Sequence, residues 1–125
     1  MKQKGNTMCI FCKIVKGEIP SNPILENDDF LCFHDINPRA PIHLLIIPKV
    51  HVEKFQDISG ELMGNMTGFI QEVATKMGLD ESGYRLITNN GEDGGQEVPH
   101  LHFHLLGGTK LNWPHFSAQE THKAL

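Results

Sequence analysis

His100-Leu101-His102-Phe103-His104 places three imidazoles at alternate positions within five residues. In an extended strand, successive side chains point to opposite faces, so this stretch predicts a row of histidines on one face and an apolar row on the other. Histidine titrates near neutral pH and serves as nucleophile, acid, base or metal ligand. The pattern therefore predicts a strand with one solvated face for chemistry and one face in the core.

The composition is that of one small globular domain. The chain has 125 residues, of which 39% are hydrophobic, and no stretch approaches the length needed to span a bilayer. A formal net charge of −4 argues against a broad basic surface for long nucleic acids. Three cysteines, an odd number, suit a reducing compartment better than a disulfide framework. We expect a soluble cytoplasmic protein that binds neither membranes nor long nucleic acids.

The domain boundaries follow from the two polar ends. Residues 1–8 carry two lysines without the apolar segment of a signal peptide, so we assign them to a flexible N-terminal tail. Residues 9–114 form the predicted domain and residues 115–125 a C-terminal tail.

Hydrophobic periodicity predicts an α+β fold with a mainly antiparallel five-stranded sheet, one long helix and one short helix. Ser59 is a suitable N-cap for the long helix, and Gly78 a suitable stop. A helix on one face of the sheet would leave the other face for a ligand or partner. The predicted strands cover residues 23–26, 30–34, 42–47, 84–88 and 101–106, and the short helix covers residues 9–16.

A glycine-rich loop precedes the histidine stretch. Gly91, Gly94 and Gly95 permit backbone conformations closed to other residues and allow amide N–H groups to approach an anion. The loop could hold a phosphate or could be a plain hairpin connection, because it lacks the residues of a P-loop or a dinucleotide-binding motif.

Three segments carry a family resemblance: Ala40-Pro41-Ile42-His43-Leu44-Leu45-Ile46-Ile47-Pro48-Lys49-Val50-His51, the loop Gly94-Gly95-Gln96-Glu97-Val98-Pro99, and the histidine stretch ending in Gly107-Gly108. Over residues 9–114 the chain closely resembles the histidine-triad (HIT) superfamily. Phe33-His34-Asp35-Ile36 and Trp113-Pro114 are most similar to its HINT-like branch of nucleotide-binding phosphoramidases. The resemblance implies a HIT-like fold that hydrolyses purine nucleoside phosphoramidates or aminoacyl adenylates to the nucleoside monophosphate.

The resemblance also implies roles for individual residues. His102 would attack the α-phosphorus and form a transient nucleotidyl-histidine, while His104 and His43 would bind the phosphate. Asp35 would accept both ribose hydroxyls, and Trp113 would reach the site of a second subunit in a homodimer. The remaining implied contacts to a nucleotide of the AMP or GMP type are Ile24, Phe33, His34 and Ile36 at the base, and Asn89, Gly95 and Gln96 at the phosphate.

One position departs from the family pattern. Glu97 stands where some members have a serine that contacts the phosphate or leaving group, and a carboxylate there would repel phosphate unless it turned away. We assign Glu97 no catalytic role, and the departure leaves the preferred leaving group open.

Cys9 and Cys12 have the spacing of half a tetrahedral zinc site. Some HIT proteins complete such a site with histidines that correspond to His51 and His100. We predict one structural zinc ion per chain on these four residues, the alternative being two reduced thiols at a helix start.

Other functional classes fit the same residues. The three alternating histidines could together ligate a catalytic metal, although no acidic residue stands beside them in the strand. The chain could also be a nucleotide-binding regulator with little turnover. Among HIT enzymes, the alternatives are dinucleoside polyphosphate hydrolases and hexose-1-phosphate uridylyltransferases, but the short length and Trp113-Pro114 speak against both.

Overall fold

A five-stranded antiparallel sheet forms the centre of the computed structural model, which describes residues 8–113. The strands are β1 (Pro23–Glu26), β2 (Phe30–His34), β3 (Ile42–Pro48), β4 (Arg85–Ile87) and β5 (Phe103–Gly107), and the α-helices are α1 (Ile10–Val15) and α2 (Gly60–Lys76). The strand order is β1-β2-β3-β5-β4, and every neighbouring pair is antiparallel. The predicted α+β fold, with one long and one short helix, is confirmed.

The long helix begins and ends where the sequence predicts. The Ser59 hydroxyl oxygen accepts a hydrogen bond from the Leu62 N–H at 3.0 Å, which satisfies one of the free donors of the first turn. After the C-cap Met77, Gly78 takes a φ of +74°, a left-handed conformation that suits glycine. The apolar side of α2 is buried against the sheet through Met66, Phe69, Ile70, Val73 and Ala74.

The two faces of the sheet carry separate apolar clusters, and the alternation of side chains along each strand sorts residues between them. On the face covered by α2, called here the α2 face, Leu44, Ile46, Phe103 and Leu105 pack with the helix. The opposite α1 face holds a smaller cluster of α1 and strand residues: Cys9, Phe11, Cys12, Leu31, Phe33, Leu45 and Ile47. The sheet face that α2 leaves open is therefore partly covered by α1.

The histidine stretch departs from the prediction in two ways. Strand β5 begins at Phe103, so His100 and His102 precede the strand. The reason is that the backbone before Phe103 bonds elsewhere: the Leu101 N–H donates to the Val52 carbonyl, and the Thr88 hydroxyl donates to the His102 carbonyl. The predicted solvated face was also wrong for two of the histidines, because His100 is 0% exposed and His102 6% exposed.

Smaller differences concern strand ends and the termini. The predicted strand 84–88 is shortened to Arg85–Ile87, and a 3-10 turn at Phe55–Asp57 was not predicted. Among residues 8–113, no helix has the length and apolar character that crossing a bilayer requires. The predicted C-terminal tail and Pro114 lie outside the described residues, as does the N-terminal tail apart from Met8.

Candidate functional site

Two strand residues and one residue just after a strand converge on the α1 face at the end of the sheet. The register pairs His43 with Leu106 and Leu45 with His104, which brings the histidines of β3 and β5 together. Asp35 follows β2, and its N–H donates to the His43 carbonyl at 3.0 Å. Residues distant in sequence thus form one polar group of Asp35, His43 and His104, of which His43 is buried.

Hydrogen bonds fix the protons on this pair of histidines. The Arg39 backbone N–H donates to Nδ1 of His43 at 3.0 Å, so the neutral ring must carry its proton on Nε2. That Nε2–H donates to Nδ1 of His104 at 2.9 Å, and it also lies 3.4 Å from Oδ2 of Asp35. The proton of His104 is therefore on Nε2, which makes this atom a hydrogen-bond donor.

The charge state of both rings is set mainly by burial. Burial lowers the pKa of His104 to about 4, helped by the neighbouring His102 and His43 and opposed by the Asp35 carboxylate. Burial also lowers the pKa of His43, again opposed by Asp35. Both imidazoles are neutral at pH 7.

His102 is held in the opposite tautomer. Its Nδ1–H donates to the His100 carbonyl at 2.8 Å, which leaves the lone pair on Nε2 free. The rings of His102 and His104 lie 5.2 Å apart between centroids. The arrangement therefore sets a nucleophilic nitrogen on His102 beside a ring that presents an N–H donor.

Four residues beside this site form a second cluster. The Nε2–H of His100 donates to the Pro48 carbonyl at 2.8 Å, so its unprotonated Nδ1 faces the sulfur atoms of Cys9 at 3.3 Å and Cys12 at 3.6 Å. Nδ1 of His51 lies 3.2 Å from the Cys12 sulfur. All four ligand atoms lie within 4.8 Å of one another.

This donor set fits zinc. Two thiolates and two imidazoles are a common tetrahedral zinc set, and Zn–S and Zn–N bonds of about 2.3 and 2.0 Å put the ligand atoms roughly 3.3–3.8 Å apart. The sulfur to nitrogen distances of 3.2–3.6 Å are close to that spacing. Burial lowers the pKa of His100 to about 4, which keeps its Nδ1 available as a ligand.

Catalytic metal ligation by the three alternating histidines receives no support from their orientation. The free nitrogen of His100 faces Cys9 and Cys12, and within residues 8–113 no compact ligand set contains His100, His102 and His104 together. Asp35, His43 and His104 do lie close enough to hold an ion. However, the Arg39 N–H places the His43 proton on Nε2, the atom that would have to bind the metal.

The glycine-rich loop is held by its own polar side chains. The Asn89 amide donates to the Gly94 carbonyl at 2.7 Å. The Gln96 amide donates to the Glu53 and Val98 carbonyls, and its oxygen accepts the Gly91 N–H at 2.9 Å. A Cβ at Gly94 would collide with the Asn90 backbone, so glycine is required there. Both amides therefore shape the loop, and phosphate contacts from Asn89, Gln96 and the exposed Gly95 stay a prediction.

The predicted base-binding residues do not all lie together. Phe33 is buried on the α1 face, whereas Ile24 packs against the cluster on the α2 face. His34 is exposed, and Ile36 is 91% exposed. Trp113 is also exposed, with the Arg85 guanidinium 5.2 Å from its ring centroid.

Sequence reasoning missed two features of the site. Phe11 contacts the rings of both His100 and His102, and the Arg39 backbone N–H fixes the tautomer of His43. The position of Phe11 between Cys9 and Cys12 is a signal that could have indicated its role. Nothing in the sequence marks the backbone donor.

Comparisons with known proteins show the family of this chain. A family model described as "HIT domain" matches residues 16–111. The chain belongs to the HIT family. An uncharacterized HIT-like protein of Helicobacter pylori is 55% identical over 103 residues, covering 82% of this chain and 99% of that protein.

Solved structures of HIT proteins share the fold. A HIT family hydrolase from Legionella pneumophila is 48% identical with a TM-score of 0.81, covering 85% of this chain and 97% of that one. A histidine triad nucleotide-binding protein from Candida albicans is 36% identical with a TM-score of 0.75, covering 89% and 86% of the two chains. The HIT family match begins after Cys9 and Cys12, so α1 lies outside the matched residues.

The neutral state of His104 in this HIT protein predicts a pH effect. The ring nitrogens of His104 should titrate near pH 4 in the free protein, below the ordinary pKa of 6.5, because burial disfavours the imidazolium. A bound phosphate should raise this pKa, because its negative charge favours the imidazolium. Nitrogen-15 NMR with and without AMP measures both midpoints, and a free-protein midpoint near 6.5 would contradict the expectation.

The lowered pKa of His104 also makes the stability of the folded protein depend on pH. Because the pKa in the folded protein is lower than in the unfolded chain, the unfolded chain binds a proton first as the pH falls below 6.5. The contribution of His104 to stability is therefore complete above pH 6.5 and is lost between 6.5 and about 4. Urea unfolding across this range, compared between the wild type and His104→Gln, isolates this contribution.

Proposed function

We propose that this HIT protein hydrolyses purine nucleoside phosphoramidates or aminoacyl adenylates through a nucleotidyl-histidine intermediate on His102. The observation that supports this proposal is the hydrogen bond from Nδ1–H of His102 to the His100 carbonyl, which in the neutral ring puts the lone pair on Nε2. Support comes from the HIT family match and from relatives named as a hydrolase and as a nucleotide-binding protein.

In the first step, Nε2 of His102 attacks the α-phosphorus, and the new N–P bond forms as the bond to the leaving amine or carboxylate breaks. The leaving group takes the bonding electron pair, and an amine also takes a proton from solvent. The positive charge that develops on the His102 ring is stabilised by its bond to the His100 carbonyl. The neutral His104 contributes an Nε2–H bond to a phosphate oxygen, with its orientation held by His43.

In the second step, water attacks the phosphorus and the N–P bond to His102 breaks. The electron pair returns to Nε2, and the proton of the water passes to solvent. The products are the nucleoside monophosphate and the free His102 ring. One water is consumed, and no external oxidant or reductant is needed.

The nucleoside part would be held beside β2. Asp35 has Oδ1 bound by the Asn37 N–H at 2.8 Å, which orients the carboxylate and supports its proposed role as acceptor for the ribose hydroxyls. Phe33, His34 and Ile36 are proposed to line the base pocket. Ile24 is the predicted base contact with the least support, because its side chain packs on the α2 face, away from Phe33.

The four-residue cluster of Cys9, Cys12, His51 and His100 is proposed to hold one structural zinc ion. When bound, zinc would cross-link α1 to the segments that contain His51 and His100. No chemical step uses it, because the proposed nucleophile, Nε2 of His102, belongs to a residue outside the cluster.

We also propose a cytoplasmic homodimer that joins at the β4 side of the sheet. Apolar surface is exposed at or near this edge strand, on Tyr84, Leu86 and Trp113. A second copy of the chain would cover this surface in the dimer. The solution mass by sedimentation equilibrium decides between monomer and dimer.

Turnover of an adenosine 5′-phosphoramidate tests the proposed function. We expect AMP release that persists in excess EDTA, and an AMP-protein adduct trapped by rapid quenching at alkaline pH, where phosphorylated histidine survives. Diadenosine polyphosphate turnover is expected to be at least about 100-fold slower. Tight AMP binding by calorimetry without turnover of either substrate would instead support a nucleotide-binding regulator. Complete loss of turnover in EDTA, beyond the roughly 10- to 100-fold slowing expected if EDTA also removes the structural zinc, would support a catalytic metal.

A further inference from the structure

Helix α1 contacts the candidate active site in two ways, through cysteine sulfurs that face His100 and through an aromatic ring that contacts His102. Cys9 caps the helix, its sulfur accepting the Cys12 N–H at 3.3 Å, and both sulfurs face Nδ1 of His100. Phe11 stands between the two cysteines and is 6% exposed. The same short helix therefore carries half of the candidate metal site and one aromatic side chain directed at the histidines.

Phe11 is in direct contact with the proposed nucleophile. The ring centroids of Phe11 and His102 are 5.1 Å apart, and the ring planes meet at 85°, a T-shaped arrangement. Phe11 also meets the rings of His100 and Phe33, each at 5.8 Å. It therefore joins the cluster on the α1 face to both buried histidines.

The orientation of His102 depends on such packing. One hydrogen bond, from Nδ1–H to the His100 carbonyl, fixes a single point of the ring. The tilt about that point is limited by the neighbouring rings of Phe11 and His104. A shift of the nucleophile by about 1 Å can cost roughly 100-fold in rate, so this limit matters for chemistry.

Helix α1 cannot hold Phe11 in place by its own stability. It has six residues, and isolated helices shorter than about 12 residues are marginal in water. Its position must come from tertiary contacts, and the thiols at Cys9 and Cys12 are its polar anchor to His51 and His100. A metal ion on those four ligand atoms would turn this anchor into a rigid cross-link.

We propose that Phe11 is a positioning residue for His102, and that a metal ion on the Cys9, Cys12, His51 and His100 cluster holds Phe11 in that position through α1. This inference rests on the proposed function only for its kinetic consequence. The orientation of the His102 ring is independent of any substrate.

The test compares Phe11→Leu with Phe30→Leu. Both changes shorten a buried phenylalanine, but Phe30 lies on the α2 face and packs against Phe69. We expect Phe11→Leu to lower kcat by roughly 10- to 100-fold with KM within about threefold, and to shift the nitrogen-15 signals of the His102 ring. Phe30→Leu should lower the Tm comparably and leave those signals and kcat within about threefold of the wild type.

A metal-removal cycle tests the link through α1. Zinc chloride alone is added to metal-free protein, and the His102 ring signals are recorded without substrate. In the wild type, removing zinc should shift the His102 ring signals in the direction seen for Phe11→Leu. In the Phe11→Leu variant, removing zinc should cause little further shift, because two changes that act through the same contact are not additive. Phe11→Met, whose unbranched and flexible side chain adapts to the space left by the ring, replaces the leucine variant if that variant does not fold.

Unchanged His102 signals in both Phe11 variants would overturn the positioning role. Fully additive effects of zinc removal and Phe11→Leu, or a wild type that binds no zinc, would overturn the metal link. If the wild type shows no turnover, the proposed function fails and the ring signals still decide the role of Phe11. If His102 is required for turnover and Phe11→Leu changes neither signals nor kcat, only the positioning role fails.

Discussion

The His102→Ala variant is expected to lose at least about 1,000-fold in kcat for a nucleoside phosphoramidate while keeping the wild-type fold. Alanine removes the Nε2 lone pair that would attack phosphorus, and no other described imidazole is held in the same tautomer beside His104. The Nδ1 atoms of His104 and His43 accept hydrogen bonds, so their Nε2 atoms carry protons and cannot attack in that state. The measurement is steady-state turnover together with single-turnover formation of the AMP-protein adduct.

Two comparisons separate lost chemistry from lost structure. Because His102 is 6% exposed, its removal leaves a buried space, and the Tm of the variant must be recorded beside its activity. His34→Ala is the matched histidine change: this exposed residue is proposed to contact the base, so it should raise KM and leave the single-turnover step within about threefold. A folded His102→Ala protein with kcat near the wild-type value would exclude the nucleophilic role.

The Cys12→Ser variant is expected to lose its bound zinc and to melt at least about 10 °C below the zinc-loaded wild type. A ligand that binds only the folded state stabilises it by about 4 kcal/mol at 1,000 times its Kd, and each kcal/mol moves the Tm of a domain this size by roughly 3–5 °C. Without metal, the bonds from the buried Cys9 sulfur and from His100 to zinc are lost, and the two side chains are joined to each other by a thiol to imidazole contact of 3.3 Å. Elemental analysis for one zinc per chain, with thermal unfolding, measures both effects.

Cys32→Ser is the matched control for the cysteine change. Cys32 is also buried, but it lies in the cluster on the α2 face and outside the ligand set. Burial raises the pKa of its thiol to about 12, which keeps it protonated and a poor metal ligand. Its replacement should leave the zinc content at one per chain, and zinc loss in both variants, or in neither, would contradict the assignment.

Much of the fold could be predicted because its signals are local. Ser59 and Gly78 mark the ends of α2 through a side-chain cap and a left-handed turn, both properties of single residues. The alternation of apolar residues in the histidine stretch assigned side chains to faces correctly, since Leu101, Phe103 and Leu105 all lie in the cluster on the α2 face. The prediction of a solvated histidine face failed because α1, far away in sequence, covers it.

The candidate site could be predicted only as a set of residue types. The grouping of Cys9 and Cys12 with His51 and His100 came from family resemblance, and the structure places their ligand atoms within 4.8 Å. The engagement of Gln96 with the Glu53 and Val98 carbonyls was not foreseen, because nothing near Gln96 in sequence indicates that Glu53 lies beside it. The phosphate contacts expected of that loop stay predictions.

By itself, the sequence determined the strand and helix pattern, the apolar row beside the histidines and the family to which they point, because those depend on side-chain spacing along one segment. The tertiary structure alone decided what each histidine can do. The proton of His102 is set by the His100 carbonyl, that of His43 by the Arg39 N–H, and that of His100 by the Pro48 carbonyl. Backbone donors and acceptors have no sequence signature, and only folding places them against a particular ring nitrogen.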